Sequence, residues 1–123
     1  MILGLGIDIV EVSRLEKWLN YKKLLERFFN KEELEYVLSK GDGAARSLAV
    51  RFAAKEAFGK ALGTGLAGIE LKDIAVANDK TGRPFFKLSG TALQTLKEKG
   101  GAAIHLSLTH EKTTAAAVVI IEG

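Results

Sequence analysis

The chain has 123 residues, a formal net charge of +3 and a hydrophobic fraction of 47%, which are typical of one folded domain rather than of a disordered chain. It contains no cysteine, which excludes disulfides, thiolate metal sites and cysteine nucleophiles. No apolar run approaches the roughly 20 residues of a transmembrane helix, and the apolar N-terminus lacks the basic region of a signal peptide. We therefore expect a cytoplasmic protein that has no membrane partner.

The first segment, residues 1–10, is almost wholly apolar and predicts a buried β-strand. Side chains alternate along a strand, so Gly4, Gly6 and Asp8 share one face, and we expect the glycines to leave space beside the carboxylate. A simple turn cap at the strand end is the alternative role for Asp8. The other face carries four aliphatic side chains that we expect to point into a core: Leu3, Leu5, Ile7 and Ile9.

Short helices follow this strand. Ser13 is placed to cap a helix over residues 14–19, and Asn30 is placed to cap a helix over residues 31–39. A helical turn or two is predicted between them, over residues 24–29.

Most of the positive charge lies in residues 13–31, where six bases outnumber two acids by four, so the rest of the chain carries a net −1 of the total +3. The six bases of this basic patch are Arg14, Lys17, Lys22, Lys23, Arg27 and Lys31. A patch of this kind favours an acidic partner, whether nucleic acid, an anionic surface or an acidic protein. A solvated helix face has the same composition, so charge alone does not separate these interpretations.

The most informative element is a long Ala-rich helix predicted over residues 44–62 and ended by Gly63. Glu56 is its only acid. Because a mostly apolar helix is buried, an unpaired carboxylate in it is costly, which favours a paired charge or a bound metal. Glu56 and Lys60 lie four residues apart on a face of small residues, so they form either a structural ion pair or part of a ligand site.

The C-terminal half predicts mainly strands. A glycine-rich loop over residues 63–68 precedes a strand over 69–78, and the turn over 79–84 leads into a short strand over 85–88. One more helix, which ends near Lys99, precedes a hairpin of two strands over 102–109 and 114–121. The predicted fold is α+β, with residues 1–123 as one domain in which a mostly antiparallel sheet packs against one long helix and several shorter ones.

Two carboxylates, Asp8 from a strand and Glu56 from a helix, do not complete a metal site by themselves. Such a pair suits Mg²⁺, which keeps several waters and takes its other ligands from substrate phosphates. The chain has two histidines and no cysteine, which argues against zinc. His110, at the end of a predicted strand, is by itself typical of a structural or surface histidine.

Three blocks occur in order along the chain: GIDIVE at residues 6–11 followed by Arg14, RFAAKEAFGKA at residues 51–61, and LSLTH at residues 106–110. Together they resemble the acyl carrier protein synthase group of the 4′-phosphopantetheinyl transferases. The middle block is highly specific, and the other two support it. Thr109 stands where many members have serine, so the hydroxyl is kept.

This resemblance implies that the chain transfers the phosphopantetheine arm of coenzyme A to a serine of apo-acyl carrier protein and releases adenosine 3′,5′-bisphosphate, as in fatty acid biosynthesis. It implies that Asp8 and Glu56 bind magnesium together with the coenzyme A pyrophosphate. Lys60 would neutralise or protonate the departing bisphosphate. Glu56, or a metal-bound water that it orients, would accept the proton of the carrier serine.

The resemblance also implies partners and further contacts. Thr109 and His110 would lie near the coenzyme A phosphates, while four other residues would frame the nucleotide: Arg51, Gly65, Arg83 and Pro84. Short members of the family are homotrimers with sites at subunit interfaces. The basic region near Arg14 would dock the acidic carrier.

Two other interpretations remain open at this point. One is a different magnesium-dependent enzyme that acts on a nucleotide or a pyrophosphate. The other is a non-catalytic module that binds RNA or DNA through the basic patch, with Trp18 and Tyr21 as stacking aromatics. The second leaves Asp8 and Glu56 without a role, so we expect no nucleic-acid partner.

Overall fold

The structure, a computed structural model, describes all 123 residues. The five α-helices are α1 (Val12–Trp18), α2 (Lys22–Phe28), α3 (Lys31–Leu38), α4 (Ala44–Leu62) and α5 (Gly90–Glu98). The five strands are β1 (Ile2–Glu11), β2 (Ile74–Asn78), β3 (Pro84–Leu88), β4 (Ala103–His110) and β5 (Thr114–Glu122). Short 3₁₀ turns cover Gly41–Gly43 and Leu71–Asp73. The predicted α+β class with antiparallel strands and one long helix is confirmed.

The strands form two antiparallel sheets. One has three strands in the order β1-β5-β4, and the other is the β2–β3 hairpin. α4 packs across β1 and β5, with α1 and α3 beside it, and it supplies much of the hydrophobic core. No helix is both long enough and apolar enough to cross a membrane.

The glycines of β1 lie directly against α4. A Cβ atom on Gly4 or Gly6 would overlap the backbone carbonyl oxygen of Ala61 or Ala57. The prediction that these glycines leave open space beside Asp8 was therefore wrong. Their function in the fold is to let the strand and the helix backbone approach closely.

The opposite face of β1 is uncovered. Its four aliphatic side chains are between 43% and 69% exposed, namely Leu3, Leu5, Ile7 and Ile9. The prediction that they point into a core was wrong for one chain, because the only helix layer lies on the glycine face. The sheet therefore presents an apolar surface to its surroundings, of the kind that marks an interaction site.

Local sequence signals placed some helix ends and missed others. α4 has the predicted bounds, and Gly63 ends it in the left-handed conformation with φ of 82°. Asn30 caps α3 in a capping box with Glu33, as predicted. Ser13 does not cap α1, which begins one residue earlier, at Val12. The predicted strand over 69–78 is shortened because its first part forms a 3₁₀ turn.

Candidate functional site

Asp8 and Lys60 meet at the junction of β1 and α4. Lys60 Nζ lies 3.1 Å from Asp8 Oδ1 and donates a hydrogen bond of 2.9 Å to the carbonyl oxygen of Ile7. The Asp8 side chain is 17% exposed and that of Lys60 is 53% exposed, so the pair is reachable from solvent. Glu56 is not within ion-pair distance of Lys60, and the simple helical ion pair between these two residues does not form.

Glu56 lies near Asp8, and the two carboxylates act on each other. Burial raises the pKa of Glu56, the negative charge of Asp8 raises it further, and the positive charges of Lys60 and Arg14 oppose both effects. The donor set consists of carboxylate oxygens, and no cluster of three or more His, Cys, Asp or Glu residues surrounds a possible metal position. A hard cation that keeps waters and substrate oxygens as its other ligands fits this pair, because it relieves the repulsion without needing a protein cage.

A second group of predicted residues lines a cleft of about 460 Å³ beside the N-terminal half of α4. Arg51, Pro84 and His110 all contribute to it, together with two further cations, Lys40 and Arg46. The wall of the cleft contains four basic side chains and no carboxylate. This cationic cleft therefore attracts an anionic ligand.

Arg51 is held firmly in the wall of this cleft. It is 4% exposed, and its Nη1 donates to Ser47 Oγ at 3.0 Å while its Nη2 donates to Asn78 Oδ1 at 2.9 Å. The guanidinium lies 4.3 Å from the centre of the Tyr36 ring. Sequence reasoning missed Tyr36 and Asn78, which carry no local signal. Sequence reasoning also missed Arg46, although its position on the same long helix as Arg51 could have indicated it.

The Asp8–Glu56 pair and this cleft do not face each other within one chain. At about 100° per residue, Glu56 lies about 140° around the α4 axis from Arg51. Asp8 and Lys60 are likewise absent from the cleft wall. One chain therefore supplies the two halves of the predicted site on different sides of the helix.

The other predicted residues are spread more widely. Thr109 shares a cross-strand row with Ile9 on the uncovered sheet face, whereas His110 pairs with buried Ala115 on the side of α4. Gly65 lies beyond the C-terminus of α4, where its N–H donates to the carbonyl of Gly59 at 3.0 Å. Arg83 is exposed in the β2–β3 turn and lines a smaller cleft of about 220 Å³.

Lys55, the residue before Glu56, has a structural role. It is completely buried, and its Nζ donates to Glu33 Oε1 at 2.8 Å and to the carbonyls of Leu71 and Ile74 at 2.8 and 2.7 Å. Glu33 Oε2 accepts from the backbone N–H of Val76 at 3.1 Å. The pair joins α3, α4 and β2, and sequence reasoning missed it because its members lie 22 positions apart.

The basic patch is on the surface, with all six of its cations exposed. Arg14 lies over the rings of Phe52 and Trp18, at 5.3 and 5.8 Å from their centres, and its charge reaches Glu56. Trp18 also packs against Phe28 and Phe52. This packing occupies the Trp18 ring, one of the two aromatic rings that a nucleic-acid module would use for stacking, and it places Arg14 beside the carboxylates.

A cavity of about 800 Å³ lies between α2 and α3 and includes none of the predicted site residues.

Comparison with known proteins identifies relatives over the whole chain. A family model described as the 4′-phosphopantetheinyl transferase superfamily matches residues 4–119. A holo-[acyl-carrier-protein] synthase of Treponema denticola is 94% identical over 100% of both chains. A protein of the same description from Treponema pallidum is 50% identical over 100% of this chain and 98% of its own.

Solved structures agree with this result. The crystal structure of a holo-[acyl-carrier-protein] synthase from Neisseria meningitidis matches with a TM-score of 0.89 and 36% identity over 100% of both chains. A holo-(acyl-carrier-protein) synthase from Bacillus anthracis in complex with CoA (3′,5′-ADP) matches with a TM-score of 0.82 and 38% identity, over 98% of this chain and 96% of its own.

Proposed function

We infer that this chain, which belongs to the 4′-phosphopantetheinyl transferase superfamily, transfers the 4′-phosphopantetheine arm of coenzyme A to a serine of apo-acyl carrier protein. The products are holo-acyl carrier protein and adenosine 3′,5′-bisphosphate. The observation that carries this proposal within the structure is the convergence of Asp8, Glu56 and Lys60 at the junction of β1 and α4. We propose that residues 1–123 act as one transferase domain in the cytoplasm.

Asp8 and Glu56 are the residues that would hold magnesium. An ion bound there would supply positive charge to the coenzyme A pyrophosphate. The mutual repulsion of the two carboxylates supports this assignment, since it is relieved by a cation between them.

We assign Glu56 to the proton of the carrier serine and Lys60 to the negative charge that develops on the departing bisphosphate. The serine oxygen forms a bond to the phosphorus that bears the pantetheine. The bond from that phosphorus to the bridging oxygen of the pyrophosphate breaks, and this oxygen leaves with adenosine 3′,5′-bisphosphate. Glu56, or a water that it orients, would accept the serine proton. Lys60, anchored by Asp8 and the Ile7 carbonyl, neutralises the charge that develops on the departing bisphosphate.

The cationic cleft is the proposed site for the nucleotide end of coenzyme A. Arg51 and His110 would face its phosphates, and Pro84 would contact the adenosine. We place Arg83 at the rim of this site, since it directly precedes Pro84. The same proposal puts Gly65, whose open surroundings allow a ligand to approach, near the pyrophosphate.

The chain is proposed to form a homotrimer with sites at the subunit interfaces. Three features support this: the uncovered apolar face of β1, the separation of the cleft from the carboxylates on one chain, and the position of Thr109 on the uncovered face. Burial of this face against a second subunit would bring Thr109 towards the neighbouring site.

The trimer is tested by Ile7→Arg, which places a charge in the middle of the apolar face. We expect dissociation to monomers in light scattering and loss of transfer. Leu38→Arg, at a lone exposed leucine on α3, should leave both unchanged. An Ile7→Arg variant that stays trimeric would exclude this face as the interface.

The activity is tested by mixing the protein with coenzyme A, apo-acyl carrier protein and Mg²⁺ and weighing the carrier by mass spectrometry. The carrier should gain the phosphopantetheine arm with the wild type and with Lys97→Ala, an exposed control on α5. Asp8→Ala and Glu56→Ala should stay folded and lose transfer at every magnesium concentration. A carrier of unchanged mass with the wild-type protein would refute the proposed function.

A further inference from the structure

Asn78, the last residue of β2, uses both ends of its side-chain amide to join two walls of the cationic cleft. Its Oδ1 accepts a hydrogen bond of 2.9 Å from Arg51 Nη2 on α4. Its Nδ2 donates a hydrogen bond of 3.0 Å to the carbonyl oxygen of Gly82, in the turn that precedes Pro84. A single side chain therefore fixes the position of the helix wall relative to the turn wall.

The bond from Arg51 to Asn78 orients a charge without neutralising it. The other polar partners of the guanidinium are Ser47 Oγ at 3.0 Å and the Ser47 carbonyl at 3.3 Å, and its Nε is buried without a partner. All of these acceptors are neutral, so Arg51 is held in place while its positive charge remains available to an anion in the cleft. A carboxylate at position 78 would hold the same nitrogen and cancel that charge.

The turn itself is ordered by short-range bonds. Asp79 Oδ1 accepts from the backbone N–H groups of Thr81 and Arg83 at 2.8 and 3.0 Å, and Gly82 has a φ of 89°. These contacts fix the shape of the turn, but they lie within it and do not attach it to α4. The bond from Asn78 to the Gly82 carbonyl supplies the attachment.

We propose that Asn78 is a positioning residue for the nucleotide cleft, acting through Arg51 and the Gly82–Pro84 turn. The proposal rests on the proposed function, in which this cleft holds the nucleotide of coenzyme A. Because Asp8 and Glu56 lie on another side of α4, loss of Asn78 should weaken nucleotide binding and leave the chemical step nearly unchanged.

The test compares Asn78→Leu, which removes both bonds and keeps the number of side-chain heavy atoms, with Asn78→Asp, which keeps the acceptor for Arg51, loses the donor to the Gly82 carbonyl and adds a negative charge. For Asn78→Leu we expect the KM for coenzyme A and the Kd of adenosine 3′,5′-bisphosphate, measured by calorimetry, to rise about tenfold, the change expected for one or two lost hydrogen bonds. The kcat should stay within about twofold and the KM for the carrier should not change. Lys87→Leu, an exposed residue of β3, is the matched control and should behave as the wild type.

Which of the two variants binds adenosine 3′,5′-bisphosphate more weakly shows whether Asn78 positions a free charge or has only a structural role. We expect Asn78→Asp to bind the bisphosphate more weakly than Asn78→Leu, whereas it should be the better folded of the two. A structural role gives the opposite order of binding, because aspartate keeps the bond to Arg51. In an Arg51→Lys background, Asn78→Leu should have less effect than in the wild type, because the two residues act together.

Two results would overturn the inference: unchanged binding of the bisphosphate by Asn78→Leu, or a loss of kcat at an unchanged KM. If Asn78→Leu does not fold, Asn78→Ser is judged by the same two criteria. A wild-type protein that fails to bind adenosine 3′,5′-bisphosphate would instead refute the proposed nucleotide cleft.

Discussion

Lys60 Nζ lies 3.1 Å from Asp8 Oδ1, so the last turn of α4 is joined to β1 through a charge pair at the edge of the carboxylate site. The second bond of Lys60, to the Ile7 carbonyl, leaves the ammonium group with one donor free. Its position is therefore fixed by the protein before any substrate binds, which is the condition under which a charge stabilises a transition state most effectively.

Lys60→Met should lower kcat by about 100-fold, the usual loss when one preorganised charge or donor is removed from a transition state. Lys60→Arg keeps the charge but not the geometry, and it should retain part of the activity. Steady-state kinetics with coenzyme A and apo-acyl carrier protein measure both. A Lys60→Met variant with near-normal kcat and a raised KM would show that Lys60 only binds the substrate.

Glu56→Gln should lower transfer by at least about 100-fold and raise the melting temperature at neutral pH. The folded-state pKa of Glu56 lies above its unfolded value, so the ionised carboxylate disfavours the folded state once the pH exceeds that value. Below the unfolded pKa both states are protonated and the penalty is absent. The difference in melting temperature between variant and wild type should therefore grow from about pH 4 to pH 7.

Thermal unfolding by circular dichroism across this pH range measures the effect of Glu56→Gln. Glu98→Gln, at an exposed residue of α5, is the control and should show no such trend. A difference that shrinks towards neutral pH would mean that Glu56 is stabilised as an anion, and it would contradict a pKa raised by burial and by the charge of Asp8.

Gly6→Ala should destabilise the fold by about 3 kcal/mol or more, because the added Cβ overlaps the backbone carbonyl of Ala57 and backbone atoms do not move aside easily. Gly43→Ala is the matched control, since its Cβ would have no neighbour closer than 3.7 Å and its φ is −86°. Urea denaturation gives both free energies of unfolding. Equal stability of the two variants would show that β1 and α4 are not in close contact.

The contrast between α4 and β1 shows which features of this fold can be predicted from short-range sequence rules. The bounds of α4 and the Asn30 cap follow from short-range rules, so the sequence predicted both. β1 has small residues on one face and aliphatic residues on the other, and only the element packed against it decides which face is buried. Local alternation grouped the faces correctly but assigned the core to the wrong one.

The candidate site shows the same division. Asp8, Glu56 and Lys60 belong to recognisable sequence motifs and could be predicted, and the structure places them close together. Asn78 and Tyr36 reach the cationic cleft only through contacts between elements that are distant along the chain. No spacing rule links such residues, so the sequence could not predict them without the fold.

Arg14→Glu should raise the KM for the acyl carrier protein about tenfold at low salt, much more than it raises the KM for coenzyme A. Arg14 is exposed at the end of the basic patch nearest Glu56, so reversing its charge opposes an acidic partner. The effect should fade as added salt shortens the Debye length from about 10 Å at 0.1 M to about 3 Å at 1 M. Lys97→Glu on α5 is the control for net charge, and equal effects of the two variants would argue against docking at Arg14.

Lys55→Met should destabilise the protein by about 3 kcal/mol or more, because it leaves the Glu33 carboxylate buried without its cation. Lys22→Met, in an exposed pair at 4.0 Å from Glu26, should change stability by less than about 0.5 kcal/mol. In the double variant Lys55→Met with Glu33→Gln, the loss should be smaller than the sum of the two single losses, because the stranded charge is gone. Urea denaturation measures the wild type, Lys55→Met, Glu33→Gln, the double variant and the Lys22→Met control, and strict additivity would show that the buried pair is not coupled.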